Sequence, residues 1–199
     1  MQIPASLRTL PNQLTLARIA AIPVICLFLV IGWDWLRWIA LAIYVVAAVT
    51  DWFDGFLART MNQQSDLGKM LDPIADKLLV GALLVTFAWT RDFSSWELIP
   101  AIAILMREIF VSGLREYLGN KAVSVPVTFL AKWKTTAQLV ALFFVIVDGL
   151  LPSFTLISAG LLWIAAILTV WTGWQYLMSS WAHFDSPQQP PVPPVGPGV

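Results

Sequence analysis

Cysteine, histidine and charge are all scarce in this chain. Its 199 residues include one cysteine, Cys26, and one histidine, His183, and only 12% are Asp, Glu, Lys or Arg. A single cysteine inside an apolar run excludes a disulfide framework and a thiolate metal site, and reads as a core residue. No Ser-His pair is apparent for nucleophilic catalysis, and His183 reads as an interfacial residue of the last polar turn. The formal net charge is zero, so no basic field speaks for nucleic acid and none is expected as a partner. Soluble domains carry about 25% charged residues; this low charge, with long apolar runs, excludes a disordered chain, a fibrous repeat and a water-facing globule. No internal repeat is visible. The lead MQIPASLRTLP lacks a long positive region followed by a small-residue cleavage site, so no cleaved signal peptide is expected.

What is present is apolar. Hydrophobic residues make up 58% of the chain, with eleven Trp and a mean hydropathy of +0.75. Spans of about 20 residues suit the bilayer core, and six fit the sequence, at about 12–31, 34–59, 67–89, 97–118, 128–147 and 154–181. The expectation is an all-α polytopic membrane protein: six transmembrane helices after a short amphipathic segment, forming one domain over residues 1–185. Residues 186–199 (SPQQPPVPPVGPGV) are a Pro-rich tail that reads as extended or disordered. Of the twelve Lys and Arg, only Arg37 and Arg91 fall at the end opposite the N-terminus, which by the positive-inside rule puts both termini in the cytoplasm. Trp33, Trp35, Trp38, Trp89, Trp96 and Trp181 sit at span ends and read as interfacial belts.

The chemistry concentrates in one stretch. Asp51, Asp54, Gly55, Ala58 and Arg59 share one helical face, and Gly68, Asp72 and Asp76, spaced by four, share a face of the next helix. The short loop between them predicts antiparallel neighbours whose faces meet. Gly55, Ala58 and Gly68 keep the seam thin, so that backbones or a flat ligand approach closely. An aspartate at a helix centre costs roughly 2.5–3.5 kcal/mol on insertion scales, and four would repel one another. All-carboxylate oxygen ligation suits Mg²⁺ or Mn²⁺, and this set suits a pair of ions. Beside Arg59, a two-metal site points to substitution at phosphorus.

A second set is basic. Arg107 and Arg115 lie on one helical stripe with Glu108 adjacent, and Lys132 and Lys134 enter the fifth span at the same level. Such a pocket suits a dianionic phosphorylated acceptor; alternatively the lysines snorkel to anionic headgroups, and Glu108 orients an arginine. Asn12 and Thr15 either belong to the site or form an N-cap pair.

The pattern Asp51-x2-Asp54-Gly55-x2-Ala58-Arg59-x8-Gly68-x3-Asp72-x3-Asp76 resembles the signature of the CDP-alcohol phosphotransferases, with no element missing. AVTDWFDGFLAR, LDPIADK, REIFVSGLRE and KWKTTAQLVAL resemble the bacterial phosphatidylglycerophosphate synthase branch of that family, over about residues 1–180. The resemblance implies a six-helix fold, usually dimeric, in the bacterial cytoplasmic membrane, with its site open to cytoplasm and bilayer. It implies transfer of the phosphatidyl group of CDP-diacylglycerol to glycerol 3-phosphate, releasing CMP. Asp51, Asp54, Asp72 and Asp76 would hold two metals, with Asp76 also the general base. Asn12, Thr15, Gly55, Ala58, Arg59, Ser65 and Gly68 would serve CDP-diacylglycerol, and Arg107, Arg115, Lys132 and Lys134 glycerol 3-phosphate. Serine, inositol phosphate or phosphatidylglycerol are the alternative acceptors within the family. From another class, a carboxylate-lined cation transporter would place its acids at mid-membrane in repeated, broken helices, whereas these acids cluster near one end.

Overall fold

The apolar runs fold as the spacing of their turn residues dictates. A computed structural model describes the backbone of residues 10–60, 66–120, 129–181 and 184, and the side chains of 12–50, 67–119 except 69, 133–181 and 184. Six helices form: α1 (Leu10–Ile31), α2 (Asp34–Thr60), α3 (Asp66–Thr90), α4 (Ser95–Asn120), α5 (Phe129–Asp148) and α6 (Thr155–Trp181). Each boundary falls within two residues of the expected span, and no strand occurs among the described residues. The all-α expectation therefore holds. The tail at 186–199 and His183 lie outside the described residues.

The turns carry the local chemistry that stops each helix. Gly32 adopts φ +78° between α1 and α2, a conformation open to glycine at little cost. The α3–α4 turn is built on Arg91 at φ 61°. It is held by the Asp92 amide donating to the Phe87 carbonyl at 3.0 Å and the Thr90 hydroxyl donating to Asp92 Oδ2 at 2.6 Å. Helix α4 opens on Ser94, whose amide and hydroxyl both donate to Glu97 Oε2 at 2.8 and 2.6 Å, the reach-back half of a capping box.

Two helix triplets make the bundle. Helix α1 packs on α2 and α3, α6 packs on α4 and α5, and the triplets meet through lighter α2–α5, α3–α4 and α3–α5 contacts. A dry core of Ile25, Leu29, Ala40, Tyr44, Leu83, Phe87, Ile104, Leu142, Ile146 and Leu162 fills the half nearest the α1–α2, α3–α4 and α5–α6 turns. Tyr44 is its largest fully buried member, and its hydroxyl donates to the Leu139 carbonyl at 2.7 Å, so α2 is tied to α5 without an orphaned polar atom.

Arg37, at the start of α2, is part of the packing at this end of the bundle. It is a buried side chain, donating from Nε to the Ile146 carbonyl at 3.1 Å and pairing through Nη2 with Asp92 Oδ1 at 2.8 Å. It thereby joins α2, α5 and the α3–α4 turn. Gly149 leaves room for it: a Cβ there would overlap the guanidinium carbon, so any larger residue would force Arg37 to shift.

Apolar side chains also point outward. Val24 and Leu27 on α1, Val46 and Val49 on α2, Leu78 and Val85 on α3, Ile102 and Ile109 on α4, and Ile164 and Ile167 on α6 are all exposed. The expected belt residues Trp33, Trp35, Trp38, Trp89, Trp96 and Trp181 are exposed as well. Among the described residues two stretches, Asn12–Ile31 and Pro152–Trp181, are long and apolar enough by composition to cross a membrane. The other helices carry charges within their length, Arg37, Lys77, Arg107, Glu108, Arg115 and Lys134 among them.

Candidate active site

The half of the bundle opposite the apolar core is polar, and it encloses a cavity of about 450 Å³. Five helices contribute to it: Arg18 from α1, Ala47 and Ala48 from α2, Asp76 and Lys77 from α3, Arg107, Glu108 and Arg115 from α4, and Lys134 and Gln138 from α5.

One wall carries carboxylates. Helix α3 accommodates Pro73 near its start, where little of the amide ladder precedes it, and presents Asp72 and Asp76 one turn apart on the same face. Behind them Ala75 is fully buried. The polar first half of α1 braces this pair. Asn12, Thr15 and Arg18 are all buried; the Thr15 hydroxyl donates to Asp72 Oδ1 at 2.8 Å, and Arg18 Nη1 lies 3.6 Å from Asp76 Oδ1. Because α1 begins at Leu10, Asn12 and Thr15 lie inside the helix and are not its N-cap pair; the Thr15 hydroxyl instead bonds a carboxylate of α3. Further along α1 the same stripe turns apolar as Ile22, Ile25 and Leu29, which fixes the helix in the core and leaves its polar end at the cavity. Gly68 is buried in the first turn of α3.

Asp51, Asp54, Gly55, Ala58 and Arg59 lie in the last turns of α2, with their side chains outside the described residues. By helical register, positions 51, 54, 55 and 58 continue the face on which Ala47 lines the cavity. Ser65 lies outside the described residues, and so does the side chain of Lys132, in the first turn of α5. Among the described residues no three carboxylate, imidazole or thiol groups converge. Asp72 and Asp76 are the described pair, and their all-oxygen, anionic donor set fits a hard divalent cation.

The facing wall is basic and hydrogen-bonded. Glu108 Oε1 accepts from Arg107 Nη1 at 3.1 Å, from Lys134 Nζ and from Gln138 Nε2 at 3.1 Å. Its expected role of orienting an arginine is thus observed, and extends to a lysine. Arg115 is exposed and holds its guanidinium 5.8 Å from the centroid of the Tyr176 ring, within cation–π reach. Counting the described charges lining the cavity, Arg18, Lys77, Arg107, Arg115 and Lys134 outnumber Asp76 and Glu108, so the space has a surplus of positive charge suited to an anion.

Of the residues expected at the site and described here, the structure gathers Arg107, Arg115, Lys134 and Asp76 around one cavity, while Asp72 and Thr15 are bonded to each other outside its lining. Sequence reasoning did not single out Lys77, counted only for topology, nor the neutral Gln138. A lysine directly after Asp76, and a glutamine four residues beyond Lys134 in an apolar helix, were the available signals.

A bundle whose polar end sets aspartate against a cluster of arginine and lysine has a charge arrangement suited to phosphate-bearing ligands. The chain belongs to the CDP-alcohol phosphatidyltransferase family, whose sequence profile matches residues 8–171. Its similarity to individual members is high. It is 45% identical over 178 residues to the CDP-diacylglycerol–glycerol-3-phosphate 3-phosphatidyltransferase of Rickettsia bellii, covering 88% of this chain and 97% of the relative. Proteins of the same name from Escherichia coli K12 (42% identity, 86% and 94% covered) and Cereibacter sphaeroides (40%, 84% and 93%) are also similar.

Proposed function

We propose that the chain is a phosphatidylglycerophosphate synthase. It transfers the phosphatidyl group of CDP-diacylglycerol to glycerol 3-phosphate and releases CMP. Family membership supports the donor, and the names of relatives at 40–45% identity support the acceptor. The observation that carries the reading is the cavity itself, with Asp76 and Lys77 of α3 on one side and Arg107, Arg115 and Lys134 of α4 and α5 on the other.

In this reading Asp51, Asp54, Asp72 and Asp76 hold two divalent cations, Mg²⁺ or Mn²⁺. When bound, the pair supplies neutralisation of the diphosphate and stabilisation of the leaving oxygen. Thr15 fixes the Asp72 carboxylate from behind. Asn12, Thr15, Gly55, Ala58, Arg59, Ser65 and Gly68 form the CDP-diacylglycerol side, the small residues leaving room for the nucleotide and Arg59 forking onto phosphate. Arg107, Arg115, Lys132 and Lys134 hold the acceptor phosphate, placing its free hydroxyl near Asp76. That carboxylate takes the hydroxyl proton as the oxygen bonds to the lipid-bearing phosphorus. The bond from that phosphorus to the bridging oxygen breaks, and CMP departs with the electron pair. A carboxylate is a weak base for an alcohol, so positioning supplies much of the activation.

The apolar outer faces of α1 to α4 and α6 support six membrane spans in one domain over residues 1–185, followed by the tail at 186–199. The cation-rich cavity end supports a cytoplasmic site with both termini on that side of the bacterial inner membrane. A homodimer in contact with membrane lipid completes the proposal.

The test is acceptor dependence in the Arg107→Ala variant, measured in detergent with CDP-diacylglycerol and Mg²⁺. The KM for glycerol 3-phosphate should rise at least tenfold, as expected for losing a charged hydrogen bond, while the KM for CDP-diacylglycerol stays within twofold. An unchanged acceptor KM would contradict the assignment of this wall.

A further inference from the structure

Helix α6 contributes nothing to the lining of the cavity, yet it is bonded to the basic wall at two places. Thr172 and Thr169, one turn apart on α6, are buried at 4% and 0% exposure. Arg107 Nη2 donates to the Thr172 hydroxyl oxygen at 3.1 Å. That hydroxyl is itself oriented by donating to the Leu168 carbonyl at 2.9 Å, so its lone pairs face the arginine. Gln138 Nε2 donates to Thr169 Oγ1 at 2.8 Å and also to Glu108 Oε1, the oxygen that receives Lys134. Next to Thr172 stands Gly173. A Cβ there would lie 2.8 Å from Arg107 Cγ and 2.9 Å from its Nε, so the arginine stem crosses α6 only because this residue is glycine.

Two hydroxyls and one missing side chain thus back Arg107 and Gln138, which line the cavity. We infer that Thr169, Thr172 and Gly173 of α6 are positioning residues for the phosphate-bearing acceptor: Thr172 and Gly173 set Arg107 directly, and Thr169 sets Lys134 through Gln138 and Glu108. Helix α6 then governs acceptor use without touching the acceptor. A long arginine packed along its stem and bonded through Nη1 to Glu108 and through Nη2 to Thr172 is held in one orientation at the cavity, which lowers the rotamer entropy lost when a phosphate binds. The inference rests on the assignment of the basic wall to the acceptor phosphate.

The experiment compares wild type with Thr172→Val, Thr172→Ser and Gly173→Ala as full chains in detergent. It measures kcat and the separate KM values for glycerol 3-phosphate and CDP-diacylglycerol. Valine keeps the shape of threonine and loses the hydroxyl; serine keeps the hydroxyl and loses a methyl group. Positioning predicts an acceptor KM about tenfold higher in Thr172→Val, recovered to within about threefold of wild type in Thr172→Ser, with the CDP-diacylglycerol KM unmoved. Gly173→Ala should raise the acceptor KM similarly, and carries the test alone if the valine variant does not fold. The reverse order, serine impaired and valine normal, would make Thr172 a packing residue and overturn the inference. So would an unchanged acceptor KM in Gly173→Ala. Wild type that released no CMP with glycerol 3-phosphate would instead overturn the underlying acceptor assignment, and the inference with it.

Discussion

Glu108 offers the sharpest perturbation of the basic wall. One of its oxygens receives three donors, from Arg107, Lys134 and Gln138, and its side chain is only 13% exposed. Glu108→Gln keeps the volume and removes the charge. Arg107 and Lys134, 12% and 10% exposed, would then face one another with no carboxylate between them. Removing one partner of a buried charge pair costs roughly 3–5 kcal/mol; because these groups border a water-accessible cavity, about 3 kcal/mol is the appropriate end. At about 2–4 °C per kcal/mol for a chain of this size, the melting temperature should fall by roughly 6–12 °C. The distinctive expectation concerns the ligand. An acceptor phosphate bound between the same cations would replace the missing negative charge, so saturating glycerol 3-phosphate should recover much of the loss and stabilise the variant more than wild type. Thermal unfolding of both proteins in detergent, with and without glycerol 3-phosphate, reads this directly. An unshifted melting temperature would refute the role of Glu108 as counter-charge. A loss that glycerol 3-phosphate does not reduce would refute the placement of the phosphate between Arg107 and Lys134.

Three further outcomes are expected. Asp76→Asn should lower CMP release more than a hundredfold, the scale of a lost general base, with its fold retained by circular dichroism; full activity would remove Asp76 as base. Thr15→Val deletes the 2.8 Å hydrogen bond to Asp72 and should raise the Mg²⁺ concentration for half-maximal activity about tenfold, as losses behind a metal-binding carboxylate do; an unchanged metal requirement would confine Thr15 to structure. Gly149→Ala should displace Arg37 from Asp92 and the Ile146 carbonyl and cost roughly 3 kcal/mol, seen as a lower melting temperature with kcat intact at low temperature, because the lock lies at the end of the bundle remote from the cavity. A variant that melts like wild type would show the lock to be dispensable.

The helices were legible because turn residues interrupt otherwise continuous apolar runs, and a bilayer-sized run leaves little choice of structure. The carboxylate wall was legible because offsets of three and four put Asp72 and Asp76 on one face of one helix, a purely local geometry. Arg107 and Lys134 stood out for a different reason: charge inside an apolar span is costly and demands a purpose. Thr169, Thr172 and Gln138 gave no such signal. Neutral polar residues are tolerated singly in apolar helices, and their meaning lies in pairings across 31 and 65 residues of sequence, which only packing creates. The partners of Arg37, counted in the sequence only for its end of the bundle, were hidden for a related reason, since only packing brings Asp92 and the Ile146 carbonyl against it.

The most direct test of the account is CMP release by the purified chain in detergent with CDP-diacylglycerol, the acceptor being varied across glycerol 3-phosphate, inositol 1-phosphate, serine and phosphatidylglycerol. Release that requires a divalent cation and occurs with glycerol 3-phosphate alone, yielding phosphatidylglycerophosphate, is the predicted result. Release with serine or phosphatidylglycerol but not with glycerol 3-phosphate would contradict the assignment of Arg107 and Lys134 to an acceptor phosphate.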